Sequence, residues 1–192
     1  MIDVKSRQMG TMWNRQFLFF LAVFCLIPSA RGDSFPTREE VLTSLFPKST
    51  VQAERVFLTR AQQQEAVLLS GVKVPSALIA RYIAWKEGEE VGRAYVDTHV
   101  VRTKKESLLI CLDAKGLLRR IEVTAFREPL EYMVSGRFYA QYHGKALSNS
   151  LSLQRSIRPV AGATLTTKAT NQAVRRILAI DQVLRSNEGS PL

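Results

Sequence analysis

The chain has little of what builds cross-links and metal centres. Among its 192 residues are 2 cysteines and 2 histidines. Cys25 lies inside an apolar run near the N-terminus, with no small-residue lipobox before it. That leaves Cys111, and a single cysteine excludes an internal disulfide. Leu109, Ile110 and Leu112 around it read as the setting of a buried, inert thiol. His99 and His143 are far apart in sequence, with no nearby cysteine or carboxylate cluster at ligand spacing, so no metal site is expected. His99, within a predicted strand, reads as a surface or packing residue. No Ser-His-Asp or paired-carboxylate arrangement stands out. There is no internal repeat, no low-complexity tract and no nucleic-acid motif. Acidic residues are the scarcer charge, 17 against 27 basic, for a net charge of +10. The basic residues are scattered, with short runs only at Lys104-Lys105, Arg119-Arg120 and Arg175-Arg176. They read as solvated faces, and no nucleic-acid partner is expected.

The composition, 46% hydrophobic and 23% charged, belongs to a globular protein. Its longest apolar run, residues 17–27, is shorter than the roughly 20 residues a membrane span needs. Lys5, Arg7 and Arg15 precede it, and Pro28, Ser29 and Ala30-Arg31-Gly32 follow. This layout makes residues 1–32 a secretory signal peptide, cleaved near Gly32. An uncleaved N-terminal anchor is the alternative, and Met9 or Met12 an alternative start. Either way the folded part is exported, to the periplasm or its equivalent.

Beyond this segment, Pro36 to Leu45 reads as a short helix with Thr37 and Glu40 in capping-box spacing. Arg55 to Leu58 is a short strand. Thr59 caps a helix that runs to about Leu69 and stops at Gly71. Strands follow at Leu78 to Trp85, Gly92 to Arg102 and Ser107 to Leu112. Asp113 to Gly116 is a turn and Leu117 to Phe126 the return strand. A short helix spans Gly136 to Tyr142. Strands grouped together between helices predict an α+β fold on an antiparallel sheet. From Lys168 on, Ala173, Ile177, Ile180 and Leu184 share one helical face. Arg175, Arg176, Gln182 and Arg185 fall elsewhere on the wheel, which predicts an amphipathic surface helix. The tail, 186–192, reads as flexible.

The start of that last helix carries the chemistry. Val160-Ala161-Gly162-Ala163-Thr164-Leu165-Thr166-Thr167 passes from a small-residue turn into a helix. The first N–H groups of a helix have no partner inside it, and the helix dipole is positive there. A phosphate or other anion fits such an end. Gly162 lets the backbone approach it. The plainer reading is that Thr164 to Thr167 cap the helix.

Gly162-Ala163-Thr164-Leu165-Thr166-Thr167 resembles the Ser/Thr-Gly-Ala-Thr-x-Ser/Thr motif of the FMN-binding domain family. That family includes the G subunit of Rnf-type electron-transport complexes and the C subunit of the sodium-pumping NADH:quinone oxidoreductase. Phe126-Arg127-Glu128-Pro129 and the segment Phe138 to Lys145 resemble two further stretches of such domains. The resemblance spans roughly Gly92 to Leu184. It divides the chain into residues 33–91, an N-terminal extension, and 92–185, the FMN-binding domain. It implies FMN carried at Thr164, through a phosphoester or without one, with Gly162, Ala163, Leu165, Thr166 and Thr167 around the phosphate. It also sets Glu128 beside the flavin ring or ribityl chain. Arg158 and Ala161 stand where targets of flavin transferases carry an acidic and a hydroxyl residue, so the mode of attachment stays open. Arg158 is a further candidate ligand for the phosphate, with a solvated loop charge the alternative. Phe126, Tyr132, Phe138 and Tyr142 are the aromatic residues available to wall the ring, with core packing the alternative for Phe138 and Tyr142.

The expected function is that of an exported FMN protein in electron transfer, a carrier rather than an enzyme with its own substrate. Its partners are redox proteins, membrane-bound ones among them, and a flavin transferase. A flavin-dependent reductase and a non-redox ligand-binding module are the alternatives.

Overall fold

Thr37 and Thr59 each stand one residue ahead of a helix and dictate where it begins. Thr37 Oγ1 accepts the Glu40 N–H at 3.2 Å, and the Glu40 carboxylate accepts the Thr37 N–H at 2.8 Å. Thr59 and Gln62 repeat the exchange at 3.2 and 2.9 Å. These two capping boxes start α1 (Arg38–Leu45) and α2 (Arg60–Ser70). Gly71, at φ 68°, stops α2 in the left-handed region that glycine adopts freely. The computed structural model describes residues 34–188. The expected signal peptide or anchor at 1–32 lies outside them. Among the described residues no helix is long and apolar enough to cross a membrane.

The strands are β1 (Thr50–Phe57), β2 (Leu78–Lys86), β3 (Glu89–Val100), β4 (Lys105–Asp113) and β5 (Leu118–Phe126). They form one antiparallel sheet in the order β1-β2-β3-β4-β5. A 3₁₀ turn (Leu130–Tyr132), α3 (Gly136–Ala140) and the long α4 (Thr164–Glu188) follow. The fold is α+β, with its longest helix last. β1 begins earlier than the expected Arg55, because Thr50 to Glu54 pair with β2 from Trp85 to Arg81. Cross-strand pairing, not local alternation, sets that end. β1 and β2 belong to the same sheet as β3 to β5.

The sheet is covered on both faces. Ile79, Tyr95, Leu108, Ile110, Leu112 and Ile121 pack with Ala173, Ile177 and Ile180 of α4. Ala84, Ala94, Leu109 and Cys111 pack on the other face with Val41, Leu42 and Phe46. Interior strand β4 is therefore fully buried from Leu108 to Leu112, which is why it reads as an unbroken apolar run. Burial pushes the Cys111 thiol up to about 12. At Gly92 a Cβ would lie 2.5 Å from both the Leu112 carbonyl and the Phe46 ring, so only glycine fits where β3 passes under Phe46.

α4 departs from the expected surface helix. The apolar stripe is buried as expected, but Val174, Leu178, Ala179 and Val183 are buried too, with Arg176 and Asp181. The sheet is only one of its neighbours. α2 packs along it, and the guanidinium of Arg175 donates to the carbonyls of Ser70, Ser148 and Leu151, bringing a loop against a third side. α4 also continues through 186–188, which the sequence assigns to the tail.

Candidate functional site at the start of α4

Gly162 turns the chain into α4. Its φ is +81° and nothing stands within 4 Å of a Cβ built there, so glycine is needed for its backbone angle and not for space. The Ala163 N–H donates to the Val160 carbonyl at 3.2 Å, and the Ala163 carbonyl accepts the Thr167 N–H at 2.9 Å. Ala163 is thus the residue that opens the helix, and it has no hydroxyl. The capping reading of Thr164 to Thr167 fails for this reason. Thr167 Oγ1 donates back to the Thr164 carbonyl at 2.9 Å. Thr166 Oγ1 donates to the Tyr132 carbonyl at 2.6 Å. Both hydroxyls are buried and occupied. The side chain of Thr164 is exposed. The N–H groups of Thr164, Leu165 and Thr166 point off the helix end without i−4 acceptors.

These groups face a cleft of about 230 Å³. Gly162 to Thr166 form one wall, with Leu165 47% exposed at its rim. Arg102 and Tyr132 form the other. The Arg102 guanidinium lies 4.5 Å from the centre of the Tyr132 ring, a cation–π contact that holds the charge at the surface. Arg102 is in the β3–β4 turn, closed by the Val101 N–H bonded to the Lys104 carbonyl at 3.0 Å.

Glu128 builds that turn instead of lining the cleft. Its Oε1 accepts the N–H groups of Arg102, Thr103 and Lys104 at 3.1, 2.7 and 2.7 Å. The Lys104 and Thr103 bonds, against a smaller opposing effect of burial, hold its carboxyl below the usual carboxylate range. Arg158 is in a different cleft, beside Phe138 and Gln141. Its backbone N–H and carbonyl both bond the Gln141 amide, at 2.8 and 3.1 Å. The basic residue that meets the start of α4 is therefore Arg102, which sequence reasoning missed. The signal was a basic run, Arg102 to Lys105 with one threonine, set in a hairpin turn.

Of the aromatic residues, only Tyr132 lines the cleft. Phe126, Phe138 and Tyr142 are 6%, 1% and 1% exposed. Phe138 meets the Tyr139 and Tyr142 rings edge-on at 5.6 and 5.7 Å, and the Tyr142 hydroxyl accepts from Asn171 at 3.1 Å. A larger cleft, about 530 Å³, lies between β5 and α3. Its walls are mainly apolar, and its rim charge Arg120 is paired with Glu122 at 2.7 Å.

His99 is neither a surface residue nor simple packing. Its Nδ1 is 2.9 Å from Asp97 Oδ1 and its Nε2 is 3.0 Å from Glu106 Oε2. Asp97 also accepts from the Arg176 guanidinium twice, at 2.8 Å each, and Glu106 accepts the Tyr139 hydroxyl at 3.1 Å. Burial alone would lower the His99 pKa; the bonds to Asp97 and Glu106 outweigh it and push it up to about 9. Asp97, despite its burial, is held below its ordinary value by His99 and Arg176. Among the described residues no cluster of histidine, cysteine and carboxylate has a metal-holding arrangement. His143 is exposed, its Nδ1 2.9 Å from the Arg119 carbonyl.

The chain matches no family model, no curated protein and no solved structure.

Proposed function

We propose that the start of α4 binds the phosphate of FMN and that the protein is an exported electron carrier. The single observation that supports this most is the cleft in which an uncapped helix N-terminus, the Thr164 hydroxyl and the Arg102 guanidinium converge. A helix end supplies N–H donors and positive potential, and an arginine fork pairs with phosphate oxygens. The residues that would hold the group are Thr164, Leu165 and Thr166 through their N–H groups, Thr164 through its hydroxyl, and Arg102 through its charge. Bound FMN would supply one- and two-electron redox chemistry that no side chain of this chain supplies. Glu128 keeps the Arg102 turn in shape, and Thr166 ties Tyr132 to the helix. The partners in this reading are redox proteins, with a flavin transferase needed only if the linkage at Thr164 is covalent.

The cleft is smaller than the roughly 300–1,000 Å³ of sites that enclose a whole ligand. A flavin held here keeps its ring at the surface, which suits a carrier better than a reductase with its own substrate. The same size favours, as the second reading, a non-redox module that binds a smaller anionic ligand.

Titration of FMN, and separately of inorganic phosphate, into protein made without a flavin transferase tests both readings. We expect FMN to bind and Thr164→Ala to weaken it by about 1.5–3 kcal/mol, the cost of a hydrogen bond to a charged group, or roughly 10- to 100-fold. Arg102→Gln weakens it comparably. Arg158→Asp, outside the cleft, leaves it near native. Phosphate binding without FMN binding selects the second reading. FMN affinity unchanged in both Thr164→Ala and Arg102→Gln removes the site.

A further inference from the structure

We propose that His99 is a fixed imidazolium that ties the base of the β3–β4 hairpin and thereby keeps Arg102 at the α4 cleft, giving that cleft an alkaline limit. The proposal rests on the anion-binding reading for the cleft, but the tie itself is built from other observations. His99 and Glu106 are direct cross-strand partners at the end of the hairpin, and the turn they close carries Arg102. Both His99 ring nitrogens face carboxylate oxygens at hydrogen-bond distance. An ionised carboxylate only accepts, and a neutral imidazole has one donor nitrogen. With both carboxylates ionised, both bonds require the doubly protonated ring.

With both carboxylates ionised, the charges around the ring balance only when it is doubly protonated. Asp97 lies on its own strand and Glu106 on β4; α4 contributes Arg176 and α3 the Tyr139 hydroxyl. Two cations face two anions. Loss of the ring proton turns one bond into a lone pair facing a carboxylate and leaves a net negative charge in a buried cluster. Tyr139, pushed above its ordinary value by burial and Glu106, stays protonated while this happens. The sign follows from the raised folded-state pKa. The stabilising contribution of His99 is complete below about pH 6.5, where the unfolded chain's histidine is also charged. It falls as pH rises and is lost beyond about 9.

The test is an NMR titration of the isotopically labelled full chain from about pH 6 to about pH 10, spanning the ordinary histidine value. It follows the His99 ring nitrogens and the amides of Arg102, Thr103 and Lys104. We expect the ring to stay doubly protonated to about pH 9, and the three amide signals to shift along the same curve. In His99→Gln that pH step is absent. Should this variant not fold, the native titration decides the matter alone. A ring that titrates near its ordinary value, with Glu106 holding the proton, overturns the proposal. Turn amides that ignore the ring also overturn it. Inorganic phosphate is then titrated at both ends of the range, with weaker binding expected at the alkaline end. Phosphate binding absent at every pH defeats the cleft reading while leaving the tie to its own amide test. Equal phosphate binding at both ends, with the ring titrated, overturns the link to Arg102.

Discussion

Asp181→Ala is expected to destabilise the protein by about 3–5 kcal/mol, the usual cost of removing one partner of a buried ion pair. Asp181 is 2% exposed on α4, facing Arg93 (3%) and Tyr95 (0%) of β3. Its carboxylate accepts from Arg93 at 2.6 and 3.2 Å and from the Tyr95 hydroxyl at 2.8 Å. Alanine leaves a buried hydroxyl without its acceptor and a buried guanidinium paired only with Glu90, at the point where the long helix meets the sheet. Asp181→Asn keeps one acceptor oxygen for Tyr95 and Arg93 Nε but loses the charge and the second acceptor for Arg93, so its cost is expected to be smaller than that of alanine, which loses every acceptor. Urea denaturation of both variants, followed by tryptophan fluorescence, measures the difference. A cost below about 1 kcal/mol for Asp181→Ala, the scale of an exposed pair, shows that water reaches Arg93 and that α4 is not anchored there.

Phe138→Ala is expected to cost a similar 3–5 kcal/mol, the range for emptying a buried aromatic site. The ring is 1% exposed, held edge-on between Tyr139 and Tyr142. A truncated side chain here leaves a hole in the core that neither tyrosine can close without abandoning its own bond, Tyr139 to Glu106 and Tyr142 to Asn171. The variant also separates two roles that the sequence leaves open for this residue. As a core residue it lowers the denaturation midpoint and leaves FMN affinity of the folded protein unchanged. If affinity falls at a temperature where the protein is fully folded, Phe138 contacts the ligand and the burial argument is wrong.

The sequence makes legible what depends on neighbours in the chain. Thr37 with Glu40, and Thr59 with Gln62, announce helix starts because capping is a matter of three residues. Gly162 announces its turn because a left-handed backbone needs glycine. The α+β class follows from strands grouped between helices. What stays hidden depends on the far side of a contact. A helical wheel gives the direction of Arg176 but not that Asp97 waits there, 79 positions earlier. Arg158 is near Thr164 in sequence, yet Arg102, in the β3–β4 turn, is the one that shares its cleft. Glu128 sits in a segment singled out for flavin contact, and its carboxylate serves three backbone N–H groups. His99 has one carboxylate, Asp97, two residues before it on its own strand, but the second, Glu106, comes to it only through the hairpin register.

The order of the strands also sets a timetable. Each of β3 to β5 lies beside its immediate predecessor and is joined to it by a short loop, and such local contacts form early. The cleft is different: Arg102 must wait for Thr164, and α4 is the last element among the described residues. In a growing or refolding chain the hairpin turn that presents Arg102 is expected to exist before there is any helix end to face it. Pulse-labelled hydrogen exchange during refolding checks this, with β3 to β5 amides protected ahead of those in α4. The reverse order shows a nucleus built on the helix. A chain interrupted before Thr164 would hold the cation of the cleft and lack the helix N–H groups that face it, so on the proposed reading the two halves of the anion site are made at different times.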